Sequence, residues 1–298
     1  MIKRTLFFEN PAYLSTKNEQ LVVTYPGDEK TSKTVPIEDI GMLVLENQQI
    51  TLTNGLITKL VQNKAAVVNC NAQHLPISLM QSLEGHSEQT ERISHQLGAS
   101  VPLKKNLWQQ TVSIKISNQA NHLMRRGKNH RKLERWSNEV KSGDSGNHEA
   151  IAAAFYWQNL FDIEGFTRYQ KGIPPNNLLN YGYSILRAIT ARALVGSGMF
   201  PGVGIFHHNK YNAFCLADDI MEPYRPFVDD LVYEIVRTGE NISELSTFLK
   251  SRLLKIATMD VVIDDKVSPL MVAMSRTTNS LHECYAGLGR KILYPVYE

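Results

Sequence analysis

Short apolar and β-branched runs, separated by turn residues such as Asn54-Gly55, dominate the first part of the chain. They predict six strands: Arg4–Phe8, Leu21–Tyr25, Thr34–Ile37, Met42–Leu45, Ile50–Leu52 and Ala65–Asn69. Between the last two runs, apolar residues recur at i, i+1, i+4 and i+5 from Leu56, which predicts an amphipathic helix over Gly55–Gln62. We therefore expect a small β-rich domain at residues 1–76.

The spacing of apolar residues becomes helical after a segment rich in Gln, His, Ser and Glu. We interpret residues 77–104 of this region as a linker. Beyond it, Ile151–Trp157 is apolar nearly all round, which predicts a buried helix. Further helices are expected at Leu178–Leu194, Phe227–Arg237 and Ile242–Ile256, the last with Asn241 as its N-cap. The predicted fold class is α+β, with a small N-terminal β-rich domain followed by a larger all-α domain at residues 105–298.

Composition excludes a disordered chain, because 43% of the 298 residues are hydrophobic and only 20% are charged. The net charge of +3 means that a nucleic acid would be bound by local basic patches. Three widely separated cysteines predict no disulfide framework, which favours a reducing compartment. The start of the chain lacks a signal-peptide pattern, and the Gly-rich apolar stretch Ala193–Phe206 is too short for a bilayer. We expect a cytoplasmic protein without a membrane segment.

The densest basic cluster lies between Arg125 and Arg135, where six of eleven residues are Lys or Arg. This density is typical of a surface that binds a phosphate backbone, although a solvated helix face has the same composition. The candidate DNA contacts in the cluster are Arg125, Arg126, Lys128, Arg131 and Lys132.

Acidic and histidine residues suggest a metal site. Glu149 falls in the first turn of the predicted buried helix, where a carboxylate could also be an ordinary capping acid. His207-His208 follow a Gly-rich turn, and Asp219 and Glu222 come next, three residues apart and on one face of any helix. Oxygen and imidazole ligands without cysteine suit Mg²⁺ or Mn²⁺ better than structural zinc. The alternative is a surface acidic turn beside two exposed histidines.

Several segments resemble one family over nearly the whole chain. They are LEGH at Leu83–His86, GNHEAIAAAFYW at 146–157, LNYGYSILRA at Leu179–Ala188 and GIFHHNKYNAFCLADDIMEPYRPFVD at 204–229. These segments are similar to those of the CRISPR-associated spacer integrase, the DNA endonuclease/integrase of CRISPR adaptation, in its type II variety.

The resemblance implies a catalytic metal centre made by Glu149, His207 and Glu222, with Mg²⁺ or Mn²⁺ as the cofactor. His208 is the near alternative to His207, and direct coordination by Asp219 stays open. Many relatives have Asp in place of Glu222. Because a neutral His207 would bind the metal, activity is expected to fall as the pH drops through the histidine range.

The resemblance also implies an assembly. Residues 1–76 would dimerise, and two homodimers would be bridged by a dimer of a small ferredoxin-like CRISPR-associated protein. The assembly would bind a fragment of foreign duplex DNA and join its 3′ ends into the CRISPR repeat by transesterification. Two other functions share the site residues: a catalytically inert DNA-binding scaffold, and a nuclease that repairs branched DNA without partner or repeat.

Five further residues are candidate DNA contacts. Lys210 and Arg225 could contact the scissile or a flanking phosphate. Asn180, Tyr181 and Tyr183 could stack on or hydrogen-bond bases near the DNA end. For the two tyrosines, packing within their own helix is the alternative.

Overall fold

The computed structural model describes residues 3–72 and 76–298, with no side chains for residues 28–31, and the chain forms two compact units, 1–85 and 86–298. The first unit is mostly strands. Its elements are β1 (Arg4–Phe8), β2 (Tyr13–Lys17), β3 (Gln20–Tyr25), β4 (Asp28–Pro36), β5 (Ile40–Leu45), β6 (Thr51–Leu52), α1 (Asn54–Gln62), β7 (Ala66–Cys70) and β8 (Pro76–Met80). This unit confirms the β-rich half of the predicted fold.

Two four-stranded sheets and α1 share one apolar core in the first unit. One sheet has the order β1-β5-β7-β8, in which only β8 is antiparallel to its neighbour. The other has the order β4-β3-β2-β6, with an antiparallel meander through β2, β3 and β4. The side chains of Leu14, Leu43 and Leu56 bring the two sheets and α1 into that core. The amphipathic helix predicted from its apolar stripe is thus confirmed.

The sequence pattern does not predict two strands of the first unit, β2 and β8. In β2, only Leu14 of five side chains is buried, so the strand has too few core positions to show an apolar run. In β8, every side chain is exposed or half-buried, and the strand forms through backbone pairing with β7. Edge and half-exposed strands are held by backbone hydrogen bonds, which residue type records weakly.

The second unit is mostly helical. Its elements are α2 (Gln89–Gly98), α3 (Val101–Arg125), α4 (Arg131–Glu139), α5 (His148–Leu160), α6 (Asn176–Gly196), α7 (Cys215–Met221), α8 (Arg225–Arg237), α9 (Thr247–Leu254), β9 (Asp260–Ile263), β10 (Lys266–Pro269) and α10 (Leu270–Tyr285). The long helices α3 and α6 run through its interior, where α3 packs against α4, α5 and α8 and α6 against α7 to α10. Nowhere in the described chain is a helix both long and apolar enough to cross a membrane.

The predicted linker, residues 77–104, is only partly a connection. It contains the end of β8 and all of α2, and α3 begins at Val101 instead of 105. The helix α2 is anchored by a polar side chain: buried Gln96 donates to the carbonyl oxygens of Phe200 and Val203 and accepts from the Phe200 amide. Because α2 is anchored by an amide side chain, its apolar stripe is weak. Its composition is therefore similar to that of a linker.

The second unit is also not entirely α-helical. The strands β9 and β10 form an antiparallel hairpin, and its turn residues Asp264 and Asp265 both have positive φ, 53° and 55°. Two such residues in succession make the tight turn whose twist suits a hairpin. The Asp-Asp pair was missed because Asn-Gly and Asp-Gly are the usual signals for this turn.

Candidate metal centre

Glu149 lies in the first turn of α5, as the sequence predicts, but it is not the cap of that helix. Asp144 caps it, since its carboxylate accepts hydrogen bonds from the amides of His148 at 2.9 Å and Glu149 at 3.0 Å. The Glu149 side chain instead accepts a hydrogen bond from Lys115 Nζ at 2.7 Å. The capping alternative for Glu149 is therefore replaced by an ion pair with α3.

Glu222 opens the 3₁₀ turn that joins α7 to α8 and is buried, with 5% of its surface exposed. Its two oxygens face two cations: Oε2 lies 2.6 Å from Lys115 Nζ, and Oε1 lies 2.8 Å from Arg225 Nη2. Burial alone would raise the pKa of Glu222, but Arg225 and Lys115 outweigh it and lower the pKa. Glu222 is consequently ionised.

Lys115 is a residue of the candidate site that sequence reasoning missed. It lies on α3 between the carboxylates of Glu149 and Glu222, and its side chain is 9% exposed. Burial lowers the pKa of Lys115, but the two carboxylates more than offset it, so the pKa is raised and the side chain is an ammonium. The available signal was a lysine flanked by Ile114 and Ile116 within an otherwise buried helical pattern.

Asp219 holds in place the loop that contains His207. It is fully buried in α7, and its carboxylate accepts hydrogen bonds from the amides of Ile205 at 2.8 Å and Phe206 at 2.9 Å. His207 Nδ1 lies 2.5 Å from Asp219 Oδ1, a contact that leaves Nε2 available as a ligand. This hydrogen bond raises the pKa of His207 against the effect of burial, and Glu149 and Glu222 raise it further. The Asp219 carboxylate thus orients His207 by contacting both the imidazole ring and the backbone amides of its loop.

Gly204 explains the Gly-rich turn before the histidines. A Cβ at this position would lie 2.4 Å from the carbonyl oxygen of His207 and 2.7 Å from Asp219 Oδ2. Any other residue would push the loop away from the carboxylate that holds it. This glycine is required by the close approach of the backbone to the Asp219 carboxylate.

The two adjacent histidines differ in their surroundings. The His207 ring lies edge-on to buried Trp108 with centroids 5.4 Å apart, and Phe206 stacks on the same indole at 4.4 Å. His208 is exposed, and its side chain has no hydrogen bond or ion pair within the described chain. The environment therefore favours His207 as the oriented imidazole.

The donor set fits a hard divalent cation, although the side chains are arranged around Lys115. Among the residues described, no three His, Cys, Asp or Glu side chains are close enough to hold a metal ion together. Yet Glu149 and Glu222 converge on one point, and buried Glu222 Oε2 has no hydrogen bond of proper geometry in the described chain despite the nearby ammonium. Two carboxylates and one oriented imidazole are ligands that suit Mg²⁺ or Mn²⁺.

The basic cluster divides into paired and exposed cations. Arg126 pairs with Asp230 and Glu234, and Lys128 Nζ lies 2.6 Å from Asp162 Oδ1. Exposed Arg125 donates to the backbone carbonyl of Glu298. Arg131 and Lys132, in the first turn of α4, are exposed and have no ion pair within the described residues. Within the described chain, Arg131 and Lys132 therefore lie on a solvated helix face, whereas Arg126 and Lys128 are bound to carboxylates.

The candidate contacts at the DNA end have mixed positions. Lys210 is exposed next to Tyr211, whereas Arg225 is bound to Glu222. Asn180 is half-buried, and its side chain accepts from Arg168 and donates to the Gln170 carbonyl. These contacts leave Lys210 as the most accessible of the three for a phosphate.

Tyr181 and Tyr183 are buried in α6, with 0% and 7% of their surfaces exposed. The Tyr183 hydroxyl donates to Asp229 Oδ1 at 2.5 Å, and Arg225 stacks on the Tyr183 ring at 4.6 Å. A ring covered in this way offers no face to a nucleotide base. The packing alternative is therefore favoured for both tyrosines.

Asp229 is a buried acid that sequence reasoning did not single out. It accepts hydrogen bonds from the hydroxyls of Tyr183 and Tyr156, and burial raises its pKa to about 7. Through Tyr183 and Arg225 it supports the side of the site that holds Glu222. Its signal in the sequence is slight, because it is one of two adjacent aspartates in α8.

The comparisons with known proteins agree on one family. The family model described as "CRISPR associated protein Cas1" matches residues 6–255. The chain is 36% identical over 282 residues to the CRISPR-associated endonuclease Cas1 of Neisseria meningitidis serogroup C (strain 8013), which covers 94% of this chain and 91% of that relative.

Solved structures share the fold. A casposase bound to its integration product superposes with a TM-score of 0.75 at 17% identity, covering 98% of this chain and 92% of the casposase. A chain of a Cas6-RT-Cas1–Cas2 complex superposes with a TM-score of 0.74 at 21% identity, covering 97% of this chain and 35% of the larger one. Because the family model spans most of the sequence and the meningococcal relative is matched along nearly all of it, the chain belongs to the CRISPR-associated Cas1 family.

Proposed function

We propose that this protein is a divalent-metal-dependent DNA integrase and endonuclease of CRISPR adaptation, which joins the 3′ ends of foreign DNA fragments to the CRISPR repeat. The observation that carries the proposal is the convergence of Glu149 and Glu222 on one point, 2.7 and 2.6 Å from Lys115 Nζ, while Asp219 orients His207, whose pKa both glutamates raise. Glu149, His207 and Glu222 are the residues that would hold Mg²⁺ or Mn²⁺.

The reaction would be a transesterification. The 3′-hydroxyl oxygen of the fragment attacks the phosphorus of a repeat phosphodiester, forming one P–O bond as the bond to the 3′ oxygen of the repeat strand breaks. The hydroxyl loses its proton, and the departing oxygen gains one. With water as the attacking group, the same exchange is hydrolysis, which accounts for endonuclease activity.

The chain's own residues set up this chemistry. A bound divalent ion would supply Lewis-acid stabilisation of the charge that develops on the phosphate oxygens. Asp219 holds the Nδ1 side of His207, so that Nε2 is the free nitrogen and the ring cannot turn away. Arg225 keeps Glu222 ionised and in place through its 2.8 Å contact.

The proposed partners follow from the relatives. One solved relative is a complex that includes Cas2, and another is bound to an integration product. We therefore include duplex DNA and a small ferredoxin-like protein as partners of this chain. Dimerisation through residues 1–76 and assembly of two dimers around the small protein are part of the same proposal.

The test is a joining assay with the purified full-length chain, a labelled short duplex, a supercoiled plasmid and Mn²⁺. Joining to a repeat-bearing plasmid that needs the small partner and stops with EDTA would support the integrase. Cleavage of branched DNA without the partner, and with no preference for the repeat, would support the repair nuclease instead. Tight DNA binding without joining or cleavage would support the inert scaffold.

Replacing Asp219 with asparagine is expected to weaken Mn²⁺ binding by about 10- to 100-fold, because the carboxylate that orients His207 is lost. Isothermal titration of Mn²⁺ into the wild type and the variant measures the effect. Asp218→Asn is the matched control, since Asp218 pairs with Arg187 at 2.6 Å and accepts from the Asn212 side chain at 2.7 Å. Equal loss of affinity in both variants would contradict the orienting role of Asp219.

Replacing both Arg131 and Lys132 with alanine is expected to flatten the salt dependence of DNA binding by about 2 units of slope, since each phosphate contact contributes about 0.9. Both side chains are exposed in the first turn of α4. Fluorescence anisotropy of a labelled duplex between low and moderate salt measures the slope. Arg126→Ala is the comparison, because Arg126 is bound to Asp230 and Glu234 and should affect stability without changing the slope. An unchanged slope in the double variant would remove α4 from the DNA interface.

A further inference from the structure

Lys115 contacts both carboxylates that we propose as metal ligands. Its ammonium lies 2.7 Å from Glu149 Oε1 and 2.6 Å from Glu222 Oε2. Contacts of this length are charge-assisted hydrogen bonds or close ion pairs, which are stronger than hydrogen bonds between neutral groups. The ammonium therefore stands at the point where the two acidic side chains meet.

The two carboxylates need a cation at this point. Glu222 is buried and Glu149 is only 21% exposed, so two unbalanced negative charges at close range would repel in a poorly solvated space. Arg225 contacts only Oε1 of Glu222, so it does not neutralise the charge at Oε2. Lys115 is the group that balances the negative charge of Glu149 and of Glu222 Oε2 where the two side chains meet.

A divalent ion and the ammonium cannot share this space. Mg²⁺ sits at about 2.1 Å and Ca²⁺ at about 2.3–2.6 Å from carboxylate oxygens, so an ion bound to both glutamates would lie almost where Nζ is now. The ammonium is carried on a flexible four-carbon stem, which can change its rotamers to move Nζ. Since the Glu149 side chain is more exposed than the Glu222 side chain, at 21% against 7%, the Glu149 side of the pair is the more open to solvent.

We propose that Lys115 is a positioning residue: a built-in cation that holds Glu149 and Glu222 together before the divalent ion binds, and that competes with the ion for the same oxygens. The inference rests on the proposed metal centre. Its consequence is that the protein binds the metal less tightly than its ligands alone would allow, since the ion must displace an ammonium already in place.

The test compares the wild type with Lys115→Met and Lys115→Arg in Mn²⁺ titrations followed by electron paramagnetic resonance. Lys115→Met has a neutral side chain of similar length and should bind Mn²⁺ about tenfold more tightly or better. Its melting temperature in EDTA should fall, and the rise on adding Mn²⁺ should be larger than in the wild type. Lys115→Arg retains the charge and should not gain affinity.

The outcomes separate this inference from the proposed function. Mn²⁺ binding by the wild type with equal or weaker binding by Lys115→Met would overturn the role of Lys115 alone. No Mn²⁺ binding by the wild type would overturn the metal centre and the competition together.

A second measurement on the wild type covers the case in which Lys115→Met fails to fold. Reductive methylation of lysines, followed by mass spectrometry, reports whether Nζ becomes accessible. Saturating Mn²⁺ should speed the labelling of Lys115 several-fold and leave Lys250, a buried lysine on α9, unchanged. A labelling rate for Lys115 that does not respond to Mn²⁺ would overturn the competition.

Discussion

Replacing Glu149 with glutamine is expected to reduce strand joining by at least about 10³-fold, because metal stabilisation of a phosphoryl transition state is worth several kcal/mol and each 1.36 kcal/mol is tenfold in rate. The amide keeps the shape of the side chain but loses the charge that would balance a divalent ion. Fold and stability should change little, since Glu149 is partly exposed and loses a single ion pair with Lys115. The loss of activity would thus be chemical and not structural.

The joining assay described above measures this effect, with thermal melting as the check on folding. Glu240→Gln is a matched control: its side chain is 32% exposed and pairs with one cation, Arg252, at 3.1 Å. It undergoes the same chemical change away from the proposed centre, so joining should stay at the wild-type rate. Full activity of folded Glu149→Gln would mean that the metal is held by other residues.

The fold was predictable where apolar spacing and burial coincide. The helix expected at Leu178–Leu194 is α6, Asn176–Gly196, and that expected at Phe227–Arg237 is α8. The predicted helix at Ile242–Ile256 is shorter, because α9 begins after Ser246, whose hydroxyl accepts from the Leu249 amide at 3.3 Å. Asn241 accepts from the Ser243 amide in a local turn instead. Both residues are good caps, and only tertiary packing decides between them.

The sequence singled out Glu149, His207 and Glu222 in the candidate site, and their role as metal ligands stays a prediction. It did not single out Lys115 or Asp229. Glu149, His207 and Glu222 come from segments with a recognisable sequence. Lys115 and the role of Asp219 depend on how α3, α5 and α7 meet, and no spacing within one segment records that. For Tyr183, residue type allows both base stacking and packing, and the packing of α6 against α8 covers the ring and joins it to Asp229. Residue type indicates which chemistry is available, and packing decides which groups reach it.

Replacing Glu222 with alanine is expected to destabilise the protein by about 3–5 kcal/mol, the usual cost of leaving a buried charge without its partner. Two cations would lose this carboxylate at once: Arg225, at 2.8 Å, would be left without its ion pair, and Lys115, at 2.6 Å, would keep only Glu149. For a protein of this size, the melting temperature should fall by roughly 10 °C. Urea unfolding and thermal melting in EDTA measure the change without any contribution from metal.

Glu234→Ala is the matched control for this prediction. Glu234 also faces two cations, Arg126 and Arg237, but its side chain is 43% exposed. Arg126 keeps its ion pair with Asp230 and Arg237 is exposed to water, so the expected loss is about 1 kcal/mol or less. Glu222→Gln should fall between the two, because its amide oxygen can still accept from one cation. If Glu222→Ala were as stable as Glu234→Ala, the charges around Glu222 would be solvated, and the closed arrangement of Lys115, Glu222 and Arg225 would not be the state in solution.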